Sequence, residues 1–118
     1  MVLVDTSIWV AHLRAGHTVL KALLNDGAVF CHPFVIGELA CGNIKNRSEI
    51  LTLLQALPMA EFVEHEDVMK FIETRHLMGK GLGYVDAHIL ASSILTTVPL
   101  WTLDKRLNAI ATTLEIAY

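Results

Sequence analysis

Cysteine is scarce in this sequence. Its 118 residues include only two cysteines, Cys31 and Cys41. They form no C-x-x-C pattern, and no histidine stands at zinc-site spacing from them. A disulfide framework and a zinc finger are therefore excluded, and both cysteines are expected to be reduced, buried thiols.

Long apolar runs are missing too. A membrane-spanning helix needs roughly 18 to 20 continuous apolar residues, and the longest uncharged run, residues 87–103, is interrupted by His88 and Pro99. The N-terminus has no basic region, and Asp5 breaks its apolar start, which argues against a signal peptide. These observations predict a cytoplasmic protein without a membrane segment.

Positive charge is limited as well. The chain has 9 Lys and Arg residues against 12 Asp and Glu residues, a formal net charge of -3. Nucleic-acid-binding proteins usually carry a basic surface, so charge alone mildly disfavours such a partner. An acidic cluster that binds divalent cations would make net charge misleading, because the metal inverts the local field. Apolar residues, in contrast, make up 53% of the chain, which predicts a buried sheet or a large apolar interface, and hence an oligomer.

Apolar segments typical of strands alternate with amphipathic segments typical of helices. Strands are predicted at 2–5, 28–31, 60–63 and 98–103, with a short edge strand at 115–118. Helices are predicted at 8–14, 18–24, 33–42, 48–57, 65–77, 87–95 and 105–114, with Thr6 or Ser7 capping the first and Asp86 opening the sixth. This alternation predicts a single α/β domain over residues 1–118, in which helices flank a mainly parallel central sheet in a three-layer sandwich.

Four of the acidic residues interrupt apolar surroundings: Asp5, Glu38, Asp86 and Asp104. Taken singly, Asp86 and Asp104 are readily explained as helix N-caps, Asp5 as a turn residue and Glu38 as a partly exposed helix residue. Two predicted strands, however, end in an aspartate, and ligands of parallel sheets bind outside the carboxyl ends of the strands. Carboxylates that share one crevice repel each other unless a cation is present. The four acids together therefore predict a metal site.

The ligand type restricts the metal. Carboxylates without cysteine or convergent histidine favour hard cations, so Mg²⁺ or Mn²⁺ is expected rather than Zn²⁺. Such ions commonly bind substrate phosphate, which points to phosphoryl chemistry with a metal-activated water. Thr6, Ser7 and Thr102 flank the acids and are candidates for orienting a carboxylate or a water, although each is also explained as a cap or a strand-surface hydroxyl.

Four short motifs carry a family resemblance. They are Val-Asp-Thr-Ser-Ile-Trp at 4–9, Ile-Gly-Glu-Leu-Ala around Glu38, Gly81 leading to Tyr-Val-Asp-Ala-His-Ile-Leu-Ala at 84–91, and Leu-Trp-Thr-Leu-Asp at 100–104. In order and spacing they resemble the acidic motifs of PIN-domain ribonucleases, and among these the compact VapC-type toxins of toxin–antitoxin modules. The resemblance covers essentially the whole chain.

The resemblance implies a PIN-like fold and a metal-dependent endoribonuclease that leaves 5′-phosphate and 3′-hydroxyl ends. It implies that Asp5, Asp86 and Asp104 lie nearest the metal and that Glu38 completes the acidic pocket. It also implies a homodimer, inhibited by a cognate VapB-like antitoxin whose tail lies along the toxin. A PIN nuclease of RNA processing without an antitoxin, and a non-catalytic binding module with the same fold, remain alternatives.

The sequence departs from the family pattern at a few positions. His88 and the pair Ser92-Ser93 stand where small or apolar residues are usual, and Asn108 stands where some relatives carry a further carboxylate. A second metal is therefore expected to bind only weakly. RNA affinity would depend on a few basic residues, for which the candidates are Lys45, Arg47, Lys80, Lys105 and Arg106.

Other functions fit the residues less well. The six histidines show no spacing that requires a general acid–base pair. A phosphate-accepting signalling domain needs an aspartate at the end of a central strand, and none occurs between Asp26 and Asp67. A haloacid-dehalogenase-like phosphatase needs an aspartate where Ser7 stands. Gly79, Gly81 and Gly83 predict a hinge, and the helices of residues 33–57 predict an apolar groove for an antitoxin segment or a dimer contact.

Overall fold

Three strands and seven helices alternate along the chain. The computed structural model describes all 118 residues. In chain order the elements are β1 (Val2–Val4), α1 (Thr6–Ala15), α2 (Thr18–Asn25), β2 (Val29–Phe30), α3 (Pro33–Ala40), α4 (Arg47–Gln55), α5 (His65–Thr74), α6 (Tyr84–Thr96), β3 (Leu100–Trp101) and α7 (Lys105–Thr113). The predicted helices are all present, with ends shifted by a few residues.

The sheet is parallel, and β1 is its central strand. Strand order is β2-β1-β3, with Leu3 opposite both Phe30 and Leu100. Every residue of β1 is fully buried, as expected when helices cover both faces of a parallel sheet. The predicted α/β class, with helices flanking a parallel central sheet, is therefore confirmed.

Two predicted strands are reduced to single bridges. The strand predicted at 60–63 is wrong: only Met59 pairs, with Cys31. The backbone N–H of Glu61 donates instead to Thr96 Oγ1 at 2.8 Å, so the chain has already left the sheet there. At the C-terminus, Ala117 forms one parallel bridge with Leu100 in place of the predicted edge strand.

Two predicted helix starts are also corrected. The first helix begins at Thr6 after Asp5, and neither Thr6 nor Ser7 caps it, because their hydroxyls are bonded elsewhere. The helix predicted to open at Asp86 begins two residues earlier, so Asp86 lies within its first turn.

The cysteine prediction holds for one residue of the pair. Cys31 is buried in the main apolar cluster, and burial raises the pKa of its thiol to about 11. Cys41 is exposed at the end of α3, contrary to expectation. Both are free thiols. As for membranes, no helix has the length and apolar character needed to span a bilayer.

The edge of the sheet where the strands end positions the candidate site. Val4 is in register with Trp101, and the Asp5 N–H donates to the Trp101 carbonyl at 2.9 Å. The segments that follow β1 and β3 therefore leave the sheet side by side.

Candidate active site

Asp5 is anchored by two hydroxyl groups at the end of β1. Thr102 Oγ1 donates to Asp5 Oδ2 at 2.7 Å, and Ser7 Oγ donates to the same oxygen at 2.9 Å. Asp5 is only 7% exposed, and these bonds offset the cost of burying its carboxylate. They fix the orientation of the carboxylate and leave Oδ1 without a hydrogen-bond partner in the protein.

The same two hydroxyls connect the segment after β1 with the segment after β3. Thr102 Oγ1 accepts from the Asp104 N–H at 3.0 Å, and Ser7 Oγ accepts from the Leu103 N–H at 2.9 Å. The two hydroxyl oxygens lie 3.2 Å apart. Because each hydroxyl has a single proton, which it donates to Asp5, this last contact is a close approach of two oxygens and not a further hydrogen bond. The network therefore fixes the position of the Asp5 carboxylate relative to the backbone of Asp104.

Asp104 has a structural role beside any chemical one. It is the N-cap of α7, and its Oδ1 accepts from the Leu107 N–H at 3.0 Å. The explanation of Asp104 as a helix cap is thus correct, but it uses one carboxylate oxygen only. Oδ2 has no hydrogen-bond partner in the chain and remains available to a ligand.

Glu38 reaches the site from α3. The Thr6 hydroxyl, in the first turn of α1, donates to Glu38 Oε1 at 2.6 Å. Glu38 is exposed, so the bond orients it rather than compensating for burial. Thr6 directly follows Asp5, and this places Glu38 on the same side of the sheet edge as Asp5.

Asp86 lies in the first turn of α6, and the other three acids affect the pKa of its carboxyl. Its Oδ2 accepts from the Gly83 N–H at 3.2 Å. Burial raises the pKa of its carboxyl, the Gly83 bond lowers that pKa, and the negative charges of Asp5, Asp104 and Glu38 raise it further. No cationic side chain is among these influences. Asp5, Asp104 and Glu38 are thus close enough to Asp86 to influence its carboxyl.

Sequence patterns gave no sign of two of these contacts. The Gly83 N–H orients Asp86, and the Leu103 N–H is bound by Ser7. Both donors are backbone groups, which every residue except proline has. Only the turn geometry makes them specific, so no residue pattern could have identified them.

The donor set fits a hard divalent cation. Each of the four carboxylates uses one oxygen for a hydrogen bond in the protein and keeps the other free. No three His, Cys, Asp or Glu side chains stand close enough together to hold an ion as they are. Mg²⁺ keeps several waters and is usually held by one or two carboxylates with substrate phosphate, so it needs no complete protein cage.

The buried histidines belong to a separate aromatic cluster. His32 and His88 pack with Phe34 and Phe62, their ring centroids 4.6 to 6.1 Å apart. Burial, followed by the neighbouring His88, lowers the pKa of His32 to about 4. His32 Nε2 is 3.0 Å from Ser92 Oγ, and neither ring hydrogen-bonds an acid of the crevice. Neither histidine is therefore placed to act with the acids as a general acid or base.

A groove opens beside Glu38 and Thr6. It has a volume of about 610 Å³ and lies between α1, α3 and the start of α4. Its apolar wall includes Val10, Leu13, Leu39, Ile44 and Ile50, and Arg14 and Lys45 add positive charge. The groove predicted at the helices of residues 33–57 is present, with α1 as a further wall.

Comparison with known proteins adds three findings. Residues 2–112 match the PIN domain family. The chain is 48% identical over 110 residues to Ribonuclease VapC32 of Mycobacterium tuberculosis, both in strain CDC 1551 / Oshkosh and in strain ATCC 25618 / H37Rv. Each alignment covers 92% of this chain and 89% of the relative. A solved structure, the crystal structure of PAE2754 from Pyrobaculum aerophilum, resembles it with a TM-score of 0.62 and 18% identity, covering 92% of this chain and 77% of that one. This last likeness concerns the fold alone.

Proposed function

The chain belongs to the PIN-domain family, as a VapC-type ribonuclease, and on this premise we propose that its four acids form the site at which RNA is hydrolysed. The observation that carries the proposal is the hydroxyl network of Ser7 and Thr102, which binds Asp5 and the backbone of Asp104 while one carboxylate oxygen of each acid stays free. The charges of Asp5, Asp104 and Glu38 are also among the causes that raise the pKa of Asp86. The 48% identity to a protein named as a ribonuclease supports RNA as the substrate.

The roles of the acids follow from their free oxygens. Asp5, Asp86 and Asp104 would hold the ion, and Glu38 would complete the pocket from α3. Bound there, Mg²⁺ or Mn²⁺ would lower the pKa of an attacking water and offset charge on the phosphoryl group. Ser7 and Thr102 keep the Oδ2 of Asp5 occupied, so that its Oδ1 points to the ligand side. Thr6 does the same for Glu38.

The identity of the ion follows from the ligand chemistry. Ribonucleases of this family generally depend on a divalent metal. We assign Mg²⁺ or Mn²⁺ here because the available donors are carboxylate oxygens, which hard cations prefer. The raised pKa of Asp86 means that cation binding would also drive off a proton at the acidic end of the pH range.

Partners follow from the family and from the groove. VapC-type toxins pair with VapB-type antitoxins, and we propose that an amphipathic antitoxin segment occupies the groove beside Glu38, where Arg14 and Lys45 would attract acidic side chains. A homodimer is proposed as well, and light scattering after size-exclusion chromatography would test it. We also propose a cytoplasmic location, because the proposed RNA substrate is found there.

The test of the function is RNA cleavage with a matched pair of variants. The protein, Asp5→Asn and Asp26→Asn would each be incubated with total cellular RNA and Mg²⁺ or Mn²⁺, with and without chelator. Asp26, an exposed acid after α2, is the control for loss of one negative charge. Discrete fragments with 5′-phosphate ends are expected from the protein and from Asp26→Asn alone, and chelator should abolish them. Cleavage that persists in Asp5→Asn would remove Asp5 from the site.

A further inference from the structure

Arg106 lies between the two loops that lead to Asp86 and Asp104. It is the second residue of α7, and its side chain extends over Gly81, in the loop before α6. A Cβ atom on Gly81 would stand 3.0 Å from both Cδ and Nη1 of Arg106. The missing side chain at position 81 therefore makes room for the guanidinium group.

The guanidinium of Arg106 has no hydrogen-bond partner in the chain. Arg47, by contrast, donates from Nε and Nη2 to the Ala40 carbonyl at 3.2 and 2.9 Å. A planar cation with unused N–H donors is well suited to bind a phosphate through two parallel hydrogen bonds.

RNA that enters the crevice needs such a cation. Its phosphates would approach four carboxylates on a chain whose net charge is -3, and like charges repel. Lys80 and Lys105, both exposed, are the sequence neighbours of Gly81 and Arg106. Positive charge is thus concentrated on the loop before α6 and on the first turn of α7, where the Arg106 side chain lies against Gly81.

We propose that Arg106, accommodated by Gly81, binds a backbone phosphate of the RNA substrate beside the acidic crevice. The proposal rests on the proposed ribonuclease function and adds a binding contact to it. Arg106 is a substrate-binding residue in this account, and the acids remain the hydrolytic centre.

RNA binding tests the role of Arg106 apart from turnover. Affinity for a short fluorescein-labelled single-stranded RNA would be measured by anisotropy in the Asp5→Asn background, with Mg²⁺ present and the RNA checked for intactness. Arg106→Gln should weaken binding roughly tenfold and reduce the slope of log affinity against log salt by about 0.7, the amount for one phosphate contact on a single strand. Arg106→Lys should recover part of the affinity.

The matched control removes the same charge elsewhere. Arg75→Gln, at the end of α5, should leave affinity and salt slope nearly unchanged. Equal losses from Arg75→Gln and Arg106→Gln would show a general charge effect and overturn the proposal.

A pair of glycine variants tests whether Gly81 makes room for the Arg106 side chain. Gly81 and Gly79 both have positive φ, 80° and 73°, but a Cβ on Gly79 would meet nothing within 4 Å. Both alanine variants suffer similar backbone strain, yet only the Cβ of Gly81→Ala would force Arg106 to shift. Gly81→Ala should lower RNA affinity, by no more than Arg106→Gln does, and should add little further loss when the two are combined, while Gly79→Ala should leave affinity nearly unchanged.

The outcomes separate the two proposals. Unchanged affinity in Arg106→Gln, with RNA still cut by the unmodified protein, would reject the Arg106 contact and leave the ribonuclease intact. Absence of both cleavage and RNA binding in every form would reject the ribonuclease and the Arg106 contact together.

Discussion

At the scale of single residues, each of the four acids uses one carboxylate oxygen for a hydrogen bond in the protein and keeps the other free for the proposed ligand. Asp5 shows this best, because two hydroxyl protons converge on Oδ2 while Oδ1 stays free. Burying a carboxylate is costly unless it is hydrogen-bonded, so Ser7 and Thr102 make a buried acid tolerable. The acid can then be held in place before any ligand arrives.

Replacing Thr102 with valine tests this anchoring. Thr102→Val keeps the shape but removes the donor to Asp5 and the acceptor for the Asp104 N–H. Loss of a buried partner should lower the free energy of unfolding by about 1 to 3 kcal/mol and reduce RNA cleavage. Urea unfolding would measure the change, with Thr113→Val on the exposed face of α7 as the control. Equal stability of the two variants would mean that Thr102 does not support Asp5.

His32 makes folding stability depend on pH. Its Nδ1 accepts from the Phe34 N–H at 3.0 Å, so the ring proton lies on Nε2 and is donated to Ser92. Burial and His88 lower its pKa from 6.5 to about 4, so the unfolded chain binds a proton that the folded one does not. The contribution is fully present above pH 6.5 and is lost as pH falls toward 4.

His32→Asn should remove this dependence. An asparagine oxygen can still accept from the Phe34 N–H, but it does not titrate. Between pH 7.5 and pH 5 the unmodified protein should lose on the order of 2 kcal/mol more unfolding free energy than the variant. Urea denaturation at both pH values provides the comparison. Parallel losses would show that His32 is protonated in the folded state.

At the scale of secondary structure elements, sequence patterns predicted which segments form helices and the end of β1 to within one residue. The strand predicted at 98–103 is shorter than expected, because β3 spans only Leu100–Trp101. Pro33 correctly marked the start of α3. The strand predicted at 60–63 failed because one hydrogen bond from Glu61 to a threonine side chain on α6 diverts the chain. Such a tertiary contact leaves no local signal. Asp86 was predicted to open α6, but the helix begins at Tyr84 with Gly83 as its N-cap, so that Asp86 lies in the first turn. A glycine N-cap has no side chain that a sequence pattern could identify.

Two substitutions of Asp104 separate its role as the N-cap of α7 from its proposed role in RNA cleavage. Asp104→Asn keeps an oxygen that can accept from the Leu107 N–H, whereas Asp104→Ala does not. The asparagine variant should unfold at nearly the original urea concentration, and the alanine variant should lose about 1 kcal/mol. Both should lose RNA cleavage, because both lose the negative charge. An active asparagine variant would make Asp104 a cap alone.

At the scale of the whole molecule, the parallel sheet brings together acids that are far apart in sequence. Asp5 and Asp104 follow neighbouring strands, Glu38 comes from α3 and Asp86 from α6. Sequence order predicted that Asp5 and Asp104 follow neighbouring strands, and the register of β1 with β3 agrees; that all four acids share one crevice stays a prediction. Their spacing could not be predicted, since it depends on the turns and hydroxyl bonds that orient each carboxylate.

The central claim is that these four acids form one cation site, and calorimetric titration of Mn²⁺ tests it most directly. The titration would compare the unmodified protein with Asp5→Asn, Glu38→Gln, Asp86→Asn and Asp104→Asn, and with Asp26→Asn as the control. Binding should be weaker in each of the four variants and unchanged in the control. Mn²⁺ binding of equal strength in all six proteins would contradict the claim, and so would no binding in any of them.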